Sequence, residues 1–177
     1  SIRVTLLDVE FECYEEYPSM KYSRKDASAA YVNERYLYVF MGISDELRGT
    51  ADNFEKLDIK EDGGQWKLLP INNFCGYKMP RTYCGLAYIK EENCFYFFGG
   101  SFNSTAQGTV MKMTEDKYEI TKAKYTLPFN CVFDETCFLR PNELTYDYYL
   151  FTFKEHQLIH FNSKSQTLEE IPQEWLE

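Results

Sequence analysis

One passage of this chain occurs twice. Residues 24–42, RKDASAAYVNERYLYVFMG, return as residues 81–100, RTYCGLAYIKEENCFYFFGG. In both copies an arginine, Arg24 or Arg81, precedes a stretch containing small residues. A charged turn follows, then a run of aromatic and β-branched residues that stops at glycine. That glycine is Gly42 in the first copy and the pair Gly99-Gly100 in the second. The two arginines stand about 57 positions apart. Self-similarity at a fixed period marks a repeat architecture, in which each unit is one supersecondary module unable to bury its apolar faces alone.

Within each copy, strand signals recur at short intervals with turn residues between them, and no long 3.6-residue periodicity competes. The second copy reads as a four-stranded antiparallel meander with strands at 83–89, 94–98, 109–113 and 117–123. The first reads likewise at 27–32, 36–40, 53–59 and 65–69. A weaker third unit has strands at 135–139, 147–152, 157–161 and 167–171, with Thr152-Phe153 where the glycines stand elsewhere. Segments 2–8 and 11–17 read as the last two strands of a preceding unit. The expected fold is therefore all-β, about three and a half four-stranded antiparallel units. Residues 1–18 form the outer strands of one unit, and 24–70, 81–128 and 132–172 form the next three.

Residue classes fit their places in such a unit. If the sheets stack around a common axis, the first strand lies where neighbours crowd, and Ala27–Ala30 and Cys84–Ala87 supply small side chains. The second strand is covered on both faces and reads as continuous apolar residues, Tyr36–Phe40 and Cys94–Phe98. Glycine at its end permits positive φ and close backbone approach. Trp66, on the fourth strand, is large enough to fill a wedge that widens away from the axis.

These residues resemble the kelch repeat family, whose motif is an apolar strand ending in Gly-Gly, then an apolar or Tyr position, then Trp. Phe97-Phe98-Gly99-Gly100 matches in the second copy, with Tyr118 in the Trp place. The first copy has Met41-Gly42, then Leu57-Asp58-Ile59 and Trp66, and the third unit has Leu168 in the Trp place. The resemblance implies a β-propeller of four-stranded blades acting as a protein-binding scaffold. Three and a half blades do not close such a ring, and open sheet edges invite aggregation. The chain is thus expected to be part of a larger propeller.

Composition narrows the function. A net charge of -9 and a pI near 4.8 argue against nucleic acid, which needs a Lys/Arg excess to bind phosphates. No apolar run reaches the length of a membrane span. The six cysteines, Cys13, Cys75, Cys84, Cys94, Cys131 and Cys137, form no C-x-x-C pair and read as reduced thiols of a cytoplasmic protein. Asn103-Ser104-Thr105 is a glycosylation sequon, relevant only to a secreted chain.

Chemistry has few places to sit. His156 and His160 alternate onto one strand face and read as a surface pair, short of a metal ligand set. Asp134, Glu135 and Glu143 lie at expected turns, Glu169-Glu170 on an exposed strand face, and no hydrolase or phosphate-loop motif is present. No enzyme activity, cofactor or metal is expected. Some kelch propellers are copper radical oxidases, which the family resemblance keeps as a remote alternative.

The loops are more informative. In a four-stranded meander, the loop after the second strand and the link into the first emerge on one side. That side gathers Arg24, Arg48, Tyr77, Arg81, Tyr83, Ser101, Phe102 and Asn103 as candidate partner-binding residues. Arginine, tyrosine and hydroxyl groups on an otherwise acidic chain suit an acidic or phosphorylated segment of another protein. The arginines could instead brace neighbouring loops. The resulting expectation is a non-enzymatic scaffold, an architectural subunit of a large cytoskeletal or ciliary complex. The alternative is a substrate-recognition module of a ubiquitin ligase.

Overall fold

The computed structural model describes residues 4–8, 13–71, 81–131, 136–139, 145–152 and 157–172. These residues form antiparallel sheets, with one 3-10 turn at Lys90–Glu92 and no α-helix among them. A two-stranded sheet pairs β1 (Val4–Asp8) with β2 (Cys13–Tyr17). The first meander follows as β3 (Ser28–Val32), β4 (Tyr36–Phe40), β7 (Glu55–Asp58) and β8 (Lys67–Leu68). A small hairpin, β5 (Ile43–Ser44) with β6 (Gly49–Thr50), interrupts it after the second strand. The second meander is β9 (Gly85–Ile89), β10 (Cys94–Phe98), β12 (Thr105–Thr114) and β13 (Ile120–Cys131). There β11 (Ser101–Phe102) folds back on the start of β12, the counterpart of the β5–β6 hairpin. The third is β14 (Thr136–Leu139), β15 (Asp147–Thr152), β16 (Gln157–Asn162) and β17 (Thr167–Ile171).

Boundaries differ from the sequence reading in several places. β12 begins at Thr105 rather than 109, and β8 covers only Lys67–Leu68, which leaves Trp66 just ahead of the fourth strand instead of on it. β13 runs on to Cys131, past the expected end at 123, with register irregularities opposite Gln107 and Thr109. The loops at 42–52 and 101–108 are organised as hairpins. Asn103 and Ser104, both at positive φ, make the two-residue turn whose twist matches the flanking strands.

The repeat is present in the backbone itself. Asp26 and Tyr83 share φ values of 56° and 53°, Met41 and Gly99 of 56° and 57°, and Gly42 and Gly100 of 87° and 86°. Lys25 exchanges both backbone hydrogen bonds with Ile43, as Thr82 does with Ser101. The Ala51 N–H donates to the Gly42 carbonyl as the Gln107 N–H donates to Gly100. Close approach explains the second glycine of each pair. A Cβ on Gly100 would lie 2.5 Å from Cys84 Sγ and 2.9 Å from the Thr82 carbonyl. One on Gly42 would lie 2.6 Å from the Lys25 carbonyl. Gly100→Ala should therefore lose about 2–3 kcal/mol of stability in urea denaturation, from positive φ and overpacking together.

The three sheets stack face to face. Tyr38 and Phe40 of the first bury their rings against Phe95 and Phe97 of the second, at centroid distances of 4.8–5.1 Å. The opposite face of the second sheet carries Tyr96 and Phe98, which meet Phe161 of the third at 5.5 Å. First strands lie beside first strands, β3 by β9 and β9 by β14, and last beside last, β13 by β17. Every residue of β10 is buried, as two-sided cover demands. β4 corrects that expectation for the first sheet. Its Tyr38 and Phe40 are buried, but Leu37 and Val39 on the other face are only half-buried.

Polar groups tie the seam between the first two sheets. The Tyr38 hydroxyl donates to Glu115 Oε1 at 2.5 Å and the Tyr88 hydroxyl to Glu115 Oε2 at 3.0 Å. On the opposite face of the second sheet the Tyr96 hydroxyl donates to Glu92, in the turn just ahead of its own strand, at 2.6 Å. Lys56 and Lys112 stand opposite Tyr38 and Tyr96 in the ladders and approach the same carboxylates. Burial and then the carboxylate contacts push the Tyr38 and Tyr96 phenols well above their ordinary range, and Tyr88 to about 12. The sign follows directly. Unfolded tyrosines lose protons near pH 10 and these do not, so stability is full below pH 10 and falls from about 10 to 12. Far-ultraviolet circular dichroism against pH should show unfolding begin in that window.

Candidate functional site

In both complete repeats the link into the first strand and the hairpin after the second strand emerge together, joined by the Lys25–Ile43 and Thr82–Ser101 bridges. Beneath each hairpin lies the repeated arginine. Arg24 Nη1 donates to the Met41 carbonyl at 3.1 Å and the Asn53 carbonyl at 2.8 Å. Its Nη2 donates to Asn53 Oδ1 and pairs with the buried Glu55 carboxylate. Arg81 Nη1 donates to the Gly99 carbonyl at 2.6 Å and the Thr109 carbonyl at 2.9 Å, and its Nη2 to Thr109 Oγ1. Each guanidinium thus spans from the end of the second strand to the approach or middle of the third, closing the base of its hairpin. A planar fork with donors on two nitrogens suits that task.

This corrects the placement of two candidates. Arg24 and Arg81, expected to face a partner, are 7% and 1% exposed and act as internal braces. Arg48 is exposed at the tip of the first hairpin and Asn103 at the tip of the second. Ser101 and Phe102 are half-buried on β11, and Tyr83 is half-buried with its N–H bonded to the Asp26 carbonyl. Tyr77 lies outside the described residues. Gly42, Gly99 and Gly100 hold the turns beneath the hairpins. Trp66, 3% exposed just ahead of β8, donates from Nε1 to the Pro18 carbonyl at 2.7 Å.

The face is mixed in charge. Exposed Lys21, Lys25 and Arg48 alternate with exposed Asp45, Glu46 and Asp52, and Glu46 already accepts from the Ser23 N–H at 2.7 Å. With both braces turned inward, the polar side chains this face exposes include those at the hairpin tips. Glu55 went unnoticed in the sequence. It occupies an alternating strand position where the second unit has apolar Met111, and it also accepts the Lys21 and Tyr22 N–H groups. An acid among apolar partners, in the unit whose brace has an adjacent asparagine, was the available signal.

Other candidates sit elsewhere. His160 Nε2 lies 2.8 Å from Asp147 Oδ1 and its ring stacks on Tyr149, while His156, Asp134, Glu135 and Glu143 fall outside the described residues. Bonds from His160 and Asn162 hold the Asp147 carboxyl below its usual range. Burial pushes the Cys84 thiol up to about 12, which leaves it protonated and inert at neutral pH. Among the described residues no helix is long and apolar enough to cross a membrane. Comparison with family models and with curated proteins finds no match for this chain.

Proposed function

We propose that the chain is a run of kelch-type blades within a larger β-propeller, and that it is a non-enzymatic scaffold binding other proteins through its hairpin-bearing face. The reading gives it the role of an architectural subunit in a large assembly, of cytoskeletal or ciliary kind, in the cytoplasm. One observation carries the proposal. Two successive units hold equivalent hairpins over equivalent buried arginine clamps, so a rigid base presents Arg48 at one tip and Asn103 at the other. Rigid presentation of exposed polar tips lowers the ordering cost of binding, as a recognition surface requires. The stacked sheets and their adjacent first strands support the propeller part of the reading.

The test is a combined Arg48→Ala, Phe102→Ala and Asn103→Ala variant used as bait in native extract. The proteins captured by the unaltered chain should be lost while the melting temperature moves by only about 2–4 °C, since a surface change seldom exceeds about 1 kcal/mol. An unchanged set of captured proteins would count against the face.

A further inference from the structure

We infer that the two hairpins are coupled through Met41, so that a partner ordering the first also orders the second. This coupling rests on the reading of their side as the recognition face, and it regulates that face. The backbone supplies the first observation. Met41 holds φ at 56°, where the second unit has Gly99 at 57°. A side chain in the left-handed region is disfavoured, and such residues persist where their surroundings over-determine them, often at functional positions. The side chain of Met41 has a task that accounts for its place. Its Sδ accepts the Arg81 N–H at 3.2 Å in a buried site. Glycine has no atom to offer there.

That contact belongs to a continuous relay. Arg24 Nη1 donates to the Met41 carbonyl at the base of the first hairpin. Met41 Sδ takes the Arg81 N–H, and the Arg81 carbonyl takes the Gly42 N–H at 3.3 Å. Arg81 Nη1 in turn donates to the Gly99 carbonyl at the base of the second hairpin. The two braces are thus joined by hydrogen bonds at every step. Further bonds tie the link into the second unit to the first. The Tyr83 N–H donates to the Asp26 carbonyl at 3.2 Å, and Ser28 Oγ to the Cys84 carbonyl at 2.7 Å. A first hairpin that opens moves Met41 and Gly42, and with them the partners of both Arg81 backbone groups. Local opening is then shared between the hairpins, and ordering one lowers the cost of ordering the other.

Amide hydrogen exchange of the 177-residue chain, with no partner added, tests the coupling. Asn53→Ala removes one acceptor of Arg24 Nη2 and Glu55→Gln its carboxylate, so each loosens the first hairpin. In the otherwise unaltered chain, either change should speed exchange of the Thr82 and Ser101 amides about fivefold or more. Those two amides form the bridge at the second hairpin. Rates are taken relative to the amide of Ile159, a core residue of the third sheet whose exchange reports global unfolding. Met41→Gly keeps the left-handed turn and removes the relay. In that background the same changes should still speed the Lys25 and Ile43 amides and leave Thr82 and Ser101 unmoved. Met41→Leu, which keeps the bulk and loses the sulfur, takes its place if the glycine chain does not fold. A second hairpin indifferent to both changes in the first, or equally affected in the two backgrounds, overturns the inference. With no partner in the sample, that failure is distinct from a face that captures nothing from extract.

Discussion

Replacing Arg81 by alanine is expected to destabilise the chain by about 3–5 kcal/mol and lower its melting temperature by roughly 10 °C. The side chain is 1% exposed, and its guanidinium donates to the Gly99 carbonyl, the Thr109 carbonyl and Thr109 Oγ1. Removing it strands these acceptors, each buried unsatisfied group costing about 1–3 kcal/mol, and leaves a cavity where a large side chain stood. Arg81→Lys should recover little. A single ammonium on a flexible stem cannot reproduce donors fixed in one plane at two nitrogens. Thermal denaturation of both variants beside the wild type checks this. A melting temperature within about 2 °C of wild type, with partner capture lost, would return Arg81 to the binding surface.

The second large effect is Trp66→Ala, expected to cost about 3–5 kcal/mol as a large-to-small change at a site only 3% exposed. Trp66 ties the region ahead of β8 to Pro18, the residue following β2, and so joins the first sheet to the two-stranded one. Trp66→Phe separates the contributions. It keeps most of the apolar volume and loses the bond to the Pro18 carbonyl, worth about 0.5–1.5 kcal/mol. Equal losses for the two variants in urea denaturation would mean that the hydrogen bond, not burial, holds this corner.

The fold was legible where burial leaves a one-dimensional trace. Continuous apolar runs such as Cys94–Phe98 belong to a strand covered on both sides, and that strand is buried throughout. The same reading failed for Tyr36–Phe40, because composition reports a residue's fitness for burial and not whether a neighbour is there. Leu37 and Val39 fit burial, and their cover is incomplete. The glycines were read correctly as sites of close approach, since a Cβ at Gly100 meets Cys84 and Thr82. Met41 was harder. It takes positive φ in place of glycine, while its buried Sδ accepts the Arg81 N–H at 3.2 Å. No local pattern announces that exchange. The arginines were placed on the right loops but at the wrong depth. A charge in a polar loop looks solvent-facing until the carbonyls it serves, some 17–29 residues away, are folded over it.

Everything turns on successive sheets lying face to face, with β10 between its neighbours β4 and β16. Nuclear Overhauser contacts between assigned aromatic rings report that directly. Cross-peaks should join Phe40 to Phe97 and Phe98 to Phe161, whose ring centres lie 5.1 and 5.5 Å apart. Strong contacts within each sheet, with neither of these pairs connected in a well-folded sample, would contradict the stacking.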